Sequence, residues 1–144
     1  MGKRWAIGMM ALVLGLITTN GQSFAHGTAK HGQSAQVDAQ MKKLHVMMPM
    51  FSLASAGLES SLEKGDVAAA ESEAGKMLEA LPDLKKSKPH KNTKQRKEFV
   101  RLAENLEKTL VSTVDLAKKG DLAGAKSAFK KVEEICAACH AKFQ

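Results

Sequence analysis

Beyond residue 36 the apolar positions of this chain recur at alternating spacings of three and four, the signature of helices that bury one face. Val37, Met41, Leu44, Met48, Phe51, Ser55, Leu58 and Leu62 form the first such stripe, which predicts a helix of about seven turns. Pro49 lies inside it, where it removes one backbone hydrogen bond and should bend the rod near residues 45 to 49, yet the stripe continues in phase beyond it. A second helix is predicted from Val67, Ala70, Ala74, Met77 and Leu81, ending at Pro82. A polar, Lys-rich link from Asp83 to Lys91 follows, and Asn92 or Thr93 is placed to cap a third helix carrying Phe99, Leu102, Leu106, Leu110 and Val114. The fourth helix carries Leu122, Ala125, Phe129, Val132, Cys136, Cys139 and Phe143.

Two turns have the same wording. Lys64-Gly65-Asp66 and Lys119-Gly120-Asp121 each stop one helix with a glycine and start the next with an N-capping aspartate. Residues 64 to 80 and 119 to 135 agree at eight of seventeen positions, so the chain reads as a duplicated helical hairpin. Short turns within each hairpin and a longer link between them predict an all-α fold, an antiparallel four-helix bundle running up-down-up-down over residues 37 to 144.

Composition narrows the functional field. Only 4% of the 144 residues are aromatic and there is no Tyr, while Ala, Leu, Lys and Glu are plentiful, which disfavours an all-β fold. No phosphate-binding glycine loop, nucleophile elbow or zincin helix occurs, and two cysteines cannot make a disulfide scaffold.

The first residues point to export. Lys3 and Arg4 precede an apolar run from Trp5 to Ile17, and Ser23-Phe24-Ala25 puts small residues at the two positions a signal peptidase reads. Residues 1 to 25 are therefore expected to be a cleaved signal peptide and not a stable membrane anchor, the run being shorter than the roughly 18 residues a span requires. Residues 26 to 36, rich in Gly, Ser and Gln with no apolar period, are expected to form a flexible N-terminal arm. The formal net charge of the whole chain is +7, and a basic excess survives removal of Lys3 and Arg4.

Both cysteines lie in Cys136-Ala137-Ala138-Cys139-His140. This C-x-x-C-H string reads as an attachment site for one covalent haem c. On a helix the spacing of three puts both thiols on one side, where they can form thioethers with the two vinyl groups, and the next residue projects an imidazole toward the iron. A thioredoxin-like pair belongs at a helix N-terminus, where the dipole lowers thiol pKa, whereas this one closes a helix. A zinc site would need about four ligands, and the sequence offers no second Cys/His pair at suitable spacing.

With that motif and four amphipathic helices, the chain resembles the cytochrome c′ family over residues 37 to 144. The most specific element is Cys136-Ala-Ala-Cys139-His140-Ala-Lys-Phe143, with its aromatic three residues after the His. The resemblance implies a periplasmic bundle holding its haem on the last helix. It also implies a choice between five-coordinate members, which bind gases such as NO or CO, and low-spin members with a first-helix Met as sixth ligand. Two departures stand out: Asp38-Ala39-Gln40 occupies the region where the family often has an Arg, and the chain ends at Gln144 instead of a basic residue.

His140 is the expected proximal iron ligand, about one turn from the end of its helix. Its opposite number should lie within the first two turns or so of the first helix, because both termini lie at one end of the bundle. Met41 suits that depth and also the resemblance. Met48 is roughly 10 Å deeper and is expected to pack, like Met47 and Met50. His45, on the flank of the stripe, is the rival ligand, and a five-coordinate iron remains a third outcome.

The leading expectation is a periplasmic electron carrier and not an enzyme, since no catalytic constellation accompanies the haem. Gas binding is the alternative. Lys85, Lys86, Lys88, Lys91, Lys94, Arg96 and Lys97 crowd the link at the haem end without an acidic residue among residues 85 to 97. Such a patch suits an acidic redox partner protein. Nucleic acid is not expected, because no aromatics interleave the charges, and a homodimer stays open.

Overall fold

The computed structural model describes residues 39–144; the expected signal peptide and N-terminal arm lie outside the described residues. Four α-helices account for most of these: α1 (Ala39–Lys64), α2 (Val67–Lys86), α3 (Arg96–Lys118) and α4 (Leu122–Phe143), with one 3-10 turn, Thr93–Gln95, before α3. Helix α1 packs most extensively on α2 and α3 on α4, α2 meets α3, and of these four neighbouring pairs α1 and α4 touch least. This is the antiparallel bundle the apolar spacing predicts.

The repeated turns have one chemistry. Gly65 and Gly120 adopt φ values of +71° and +80°, the left-handed conformation that a side chain strains. The carboxylate of Asp66 accepts the N–H of Ala69 at 3.0 Å, and that of Asp121 accepts the N–H of Gly124 at 2.8 Å, each satisfying a free donor of the first helical turn. The turns also meet each other: a Cβ on Gly65 would lie 3.3 Å from Leu122 Cδ1, so both hairpin tips sit at the same level of the bundle. A Cβ on Gly57 would lie 2.8 Å from the Glu73 side chain, which shows how closely α1 and α2 approach.

Leu58, Leu62, Met77, Leu81, Leu110 and Val132 are the largest fully buried apolar side chains. On α1 the buried apolar positions are Leu44, Met47, Phe51, Ala54, Leu58 and Leu62, so the core stripe runs one residue off the predicted one at 47 and 54. Met48 and Ser55 are half-buried on the neighbouring face. Buried hydroxyls are satisfied within their own helices: Thr113 donates to the Thr109 carbonyl at 2.8 Å and Ser61 to that of Gly57 at 2.7 Å.

Two expected boundaries are corrected. Helix α2 does not end at Pro82 but continues to Lys86. Proline forfeits only the bond to the carbonyl four residues back, and burial of Leu84 carries the helix on until Ser87 bonds its last carbonyls. Asn92 does not cap α3. It adopts a left-handed conformation, φ 53°, and its side-chain amide donates to the Lys142 carbonyl at 2.6 Å. The N–H groups of His90 and Lys91 donate to the Phe143 carbonyl at 3.0 and 3.1 Å, so the α2–α3 link clamps the end of α4. The Arg96 guanidinium donates to the carbonyls of Lys85 and Ser87, tying the same link to the end of α2.

Replacing Leu58, which is 0% exposed, by Ala should cost about 2 to 5 kcal/mol in urea unfolding, whereas Leu53→Ala, at a residue 76% exposed, should change stability by about 0.5 kcal/mol or less. Comparable losses at both positions would contradict this assignment of faces.

Candidate haem site

The weakly packed α1–α4 seam opens into a cavity of about 780 Å³. That lies within the roughly 300 to 1,000 Å³ usual for a ligand or cofactor site. Its α4 wall is Glu133, Ile135, Cys136, Cys139, His140 and Phe143. The facing wall of α1 carries His45, Met48, Ser52, Ser55, Ala56 and Glu59 along a second helical stripe, beside the core stripe. The small side chains at 52, 55 and 56 leave the seam unfilled. Phe99, Leu102 and Leu106 of α3 and Met77 and Leu84 of α2 form an apolar floor, while Pro89 and His90 of the link stand at the edge.

Edge-to-face packing fixes the floor near the attachment motif, with the Phe99 and Phe143 rings 5.3 Å apart at 79°. Phe143 is buried, so the aromatic three residues after His140 shapes the cavity and anchors the last turn of α4. Cys136 and Cys139 are half-buried free thiols on the cavity wall, and His140 is exposed. Burial, and secondarily the charge of Glu133, pushes the Cys136 thiol up; burial, and secondarily Cys136, pushes Cys139 up to about 11. Raised thiols make a poor redox dithiol, which needs a ready thiolate. Among the described residues, no group of three or more His, Cys, Asp or Glu side chains is placed to hold a bare metal ion. A donor set of two thiols and an imidazole around a large, mostly apolar slot suits a flat macrocycle carrying its own metal.

Residues 84–144, from the end of α2 to the C-terminal Gln144, match the family model described as Cytochrome C'. Over these residues the chain is similar to the cytochrome c′ family. Cytochrome c′ proteins bind haem c covalently and are typically periplasmic. No helix among the described residues is long and apolar enough to cross a membrane. No curated protein and no solved structure matches the chain. The cytochrome c′ match takes in the C-x-x-C-H strip and the floor residues of α3, and the α1 wall lies outside it.

The structure brings Cys136, Cys139, His140 and His45 to one cavity, and adds Met48. Met41, half-buried near the start of α1, is not among the lining residues. His90 was missed by the sequence reading. Its ring lies 5.1 Å from that of His45, at 30° between the planes. A signal existed, since His90 is the one imidazole in a link expected at the haem end, but only the clamp to Phe143 fixes where it falls.

In the chain without haem, alkylation of Cys139 by iodoacetamide should be slow at pH 8 and rise until about pH 11, because a raised pKa depletes the reactive thiolate at any lower pH. A rate that levels off near pH 8.5, the value of an ordinary thiol, would show that burial does not control this cysteine.

Proposed function

We propose that this chain is an exported monohaem cytochrome that carries electrons and is not an enzyme. Cys136 and Cys139 hold the haem through thioethers, and His140 is the proximal iron ligand. The bound haem supplies one-electron exchange between ferric and ferrous iron. The residues of the chain do the rest: the apolar floor of Phe99, Leu102 and Leu106 excludes water, and Phe143 fixes the last turn of α4 against Phe99. The observation that carries the reading is the α1 wall, where two side chains able to ligate iron, His45 and Met48, face the attachment strip across the cavity. An iron with ligands available on both sides suits electron exchange better than gas capture.

Exposed Lys86, Lys88, Lys91, Lys94 and Lys97 crowd the link at this end of the bundle and support docking to an acidic redox protein. Lys85 and Arg96 contribute less to that surface. Lys85 is half-buried and paired with Glu107 at 2.6 Å, and Arg96 is occupied with the carbonyls that close α2.

Replacing both Cys136 and Cys139 by Ala should abolish covalent haem, read as loss of the haem mass and of haem staining after denaturation. In the intact holoprotein, a low-spin spectrum that CO perturbs little supports the carrier reading, and a high-spin ferrous form that binds CO readily overturns it in favour of gas binding. Changing Lys86, Lys88 and Lys91 to Glu should slow electron exchange with an acidic partner at low ionic strength and leave the haem spectrum unchanged. Rates that ignore both the charge reversal and added salt would remove this surface from the docking route.

A further inference from the structure

The two hairpin tips are in contact, and this gives the helices a common ruler. Gly65 and Leu122 lie side by side, so heights can be counted from that pair. His140 is 18 residues after Leu122 and His45 is 20 residues before Gly65. At about 1.5 Å per residue the two stand within about 3 Å of one height on facing helices. Met48, 17 residues before Gly65, stands at about the same height, and Met41, 24 residues before it, about 9 Å beyond. The lining agrees with the count: His45, Met48 and His140 line the cavity and Met41 does not. Between His45 and Met48 the choice falls on the His90 ring, which lies against His45 and is tied to the end of α4.

We propose that His45 is the distal axial ligand of the haem iron, opposite His140, and that His90 is a positioning residue that holds the His45 ring. The proposal rests on the haem reading above. The His90 ring lies 5.1 Å from the His45 ring, and its backbone is fixed to the end of α4 through the Phe143 carbonyl. The link thus sets an α1 side chain relative to the helix that bears His140. Two imidazoles on the iron, in place of an imidazole and a thioether, lower the reduction potential, since a Met ligand raises it.

The test uses holoprotein in which covalent haem is confirmed by mass, so that failure of the haem reading is seen separately as a wild-type chain without it. The expected wild-type ferric spectrum is low-spin bis-imidazole, without the sulfur-to-iron charge-transfer band of Met ligation. His45→Ala should become high-spin, bind CO in the ferrous state, and return to low-spin on adding imidazole. His45→Met guards against a folding defect in the Ala variant: it should keep a folded protein, gain the sulfur band and raise the potential. Met41→Ala and Met48→Ala should remain bis-imidazole. His90→Ala should stay low-spin while shifting the electron paramagnetic resonance g-values, which report ring orientation. A His45→Ala protein that remains low-spin, a sulfur band in the wild type, or a high-spin His90→Ala protein each overturns the assignment.

Discussion

A four-helix bundle has four seams between neighbouring helices, and here they are not equivalent. Leucines, alanines and aromatic rings close α1 on α2, α3 on α4 and α2 on α3, whereas the α1 and α4 faces that meet across the fourth seam carry Ser52, Ser55 and Ala56 on one side and two cysteines on the other. Small residues cannot bridge the distance at which the other contacts hold the helices. The result is a slot with an apolar floor and walls bearing thiols and imidazoles, and the site depends on its remaining open.

Keeping a slot open requires that the helices beside it be held elsewhere. The link between α2 and α3 does much of this at the mouth. His90, Lys91 and Asn92 bond the last carbonyls of α4, and Arg96 bonds those that end α2. Each is a charge-assisted or ordinary hydrogen bond worth about 0.5 to 3 kcal/mol, more than the typical exposed ion pair. A segment that composition alone describes as a solvated, basic loop therefore serves as a brace, and two of its seven cations are consumed in bracing.

The period of the chain was sufficient to predict four helices, the duplicated turns and the end of the bundle at which His140 sits. It could not separate two stripes lying one residue apart on α1. Leu44, Phe51 and Leu58 are buried in the core, the first two at the inner edge of the slot, whereas Met48 and Ser55, which share their three-and-four spacing, lie half-buried along the slot. A spacing pattern records which residues share a broad face, while the division of that face between core and cavity depends on where α4 stands. Met41 suited a depth argument that allowed the first two turns of the helix. The contact between Gly65 and Leu122, a tertiary fact, narrows that range to the level of His45 and Met48. The clamp from His90 to Phe143 joins residues 53 apart in sequence and left no local trace.

The duplication explains why the thiols stand where they do. Shifting the second hairpin back by the 55 residues that separate the two turns places Cys136 and Cys139 on Leu81 and Leu84, both buried in the core. Cys136 and Cys139 thus occupy the core register of their helix, which directs them inward, and their half-burial and raised thiol pKa values follow from that register. On the opposite wall the same shift relates Ser55 to buried Leu110 and Ser52 to Glu107. Across α2 and α3, Lys85 reaches Glu107 and the leucines fill the seam; at the corresponding places across α4 and α1 stand His140 and Ser52 with a cavity between them. The α1–α4 seam therefore corresponds to the α2–α3 packing, with groups that can bind standing where the other seam has leucines. Its missing apolar contacts are ones that a porphyrin held there would supply, which would make such a group part of the core.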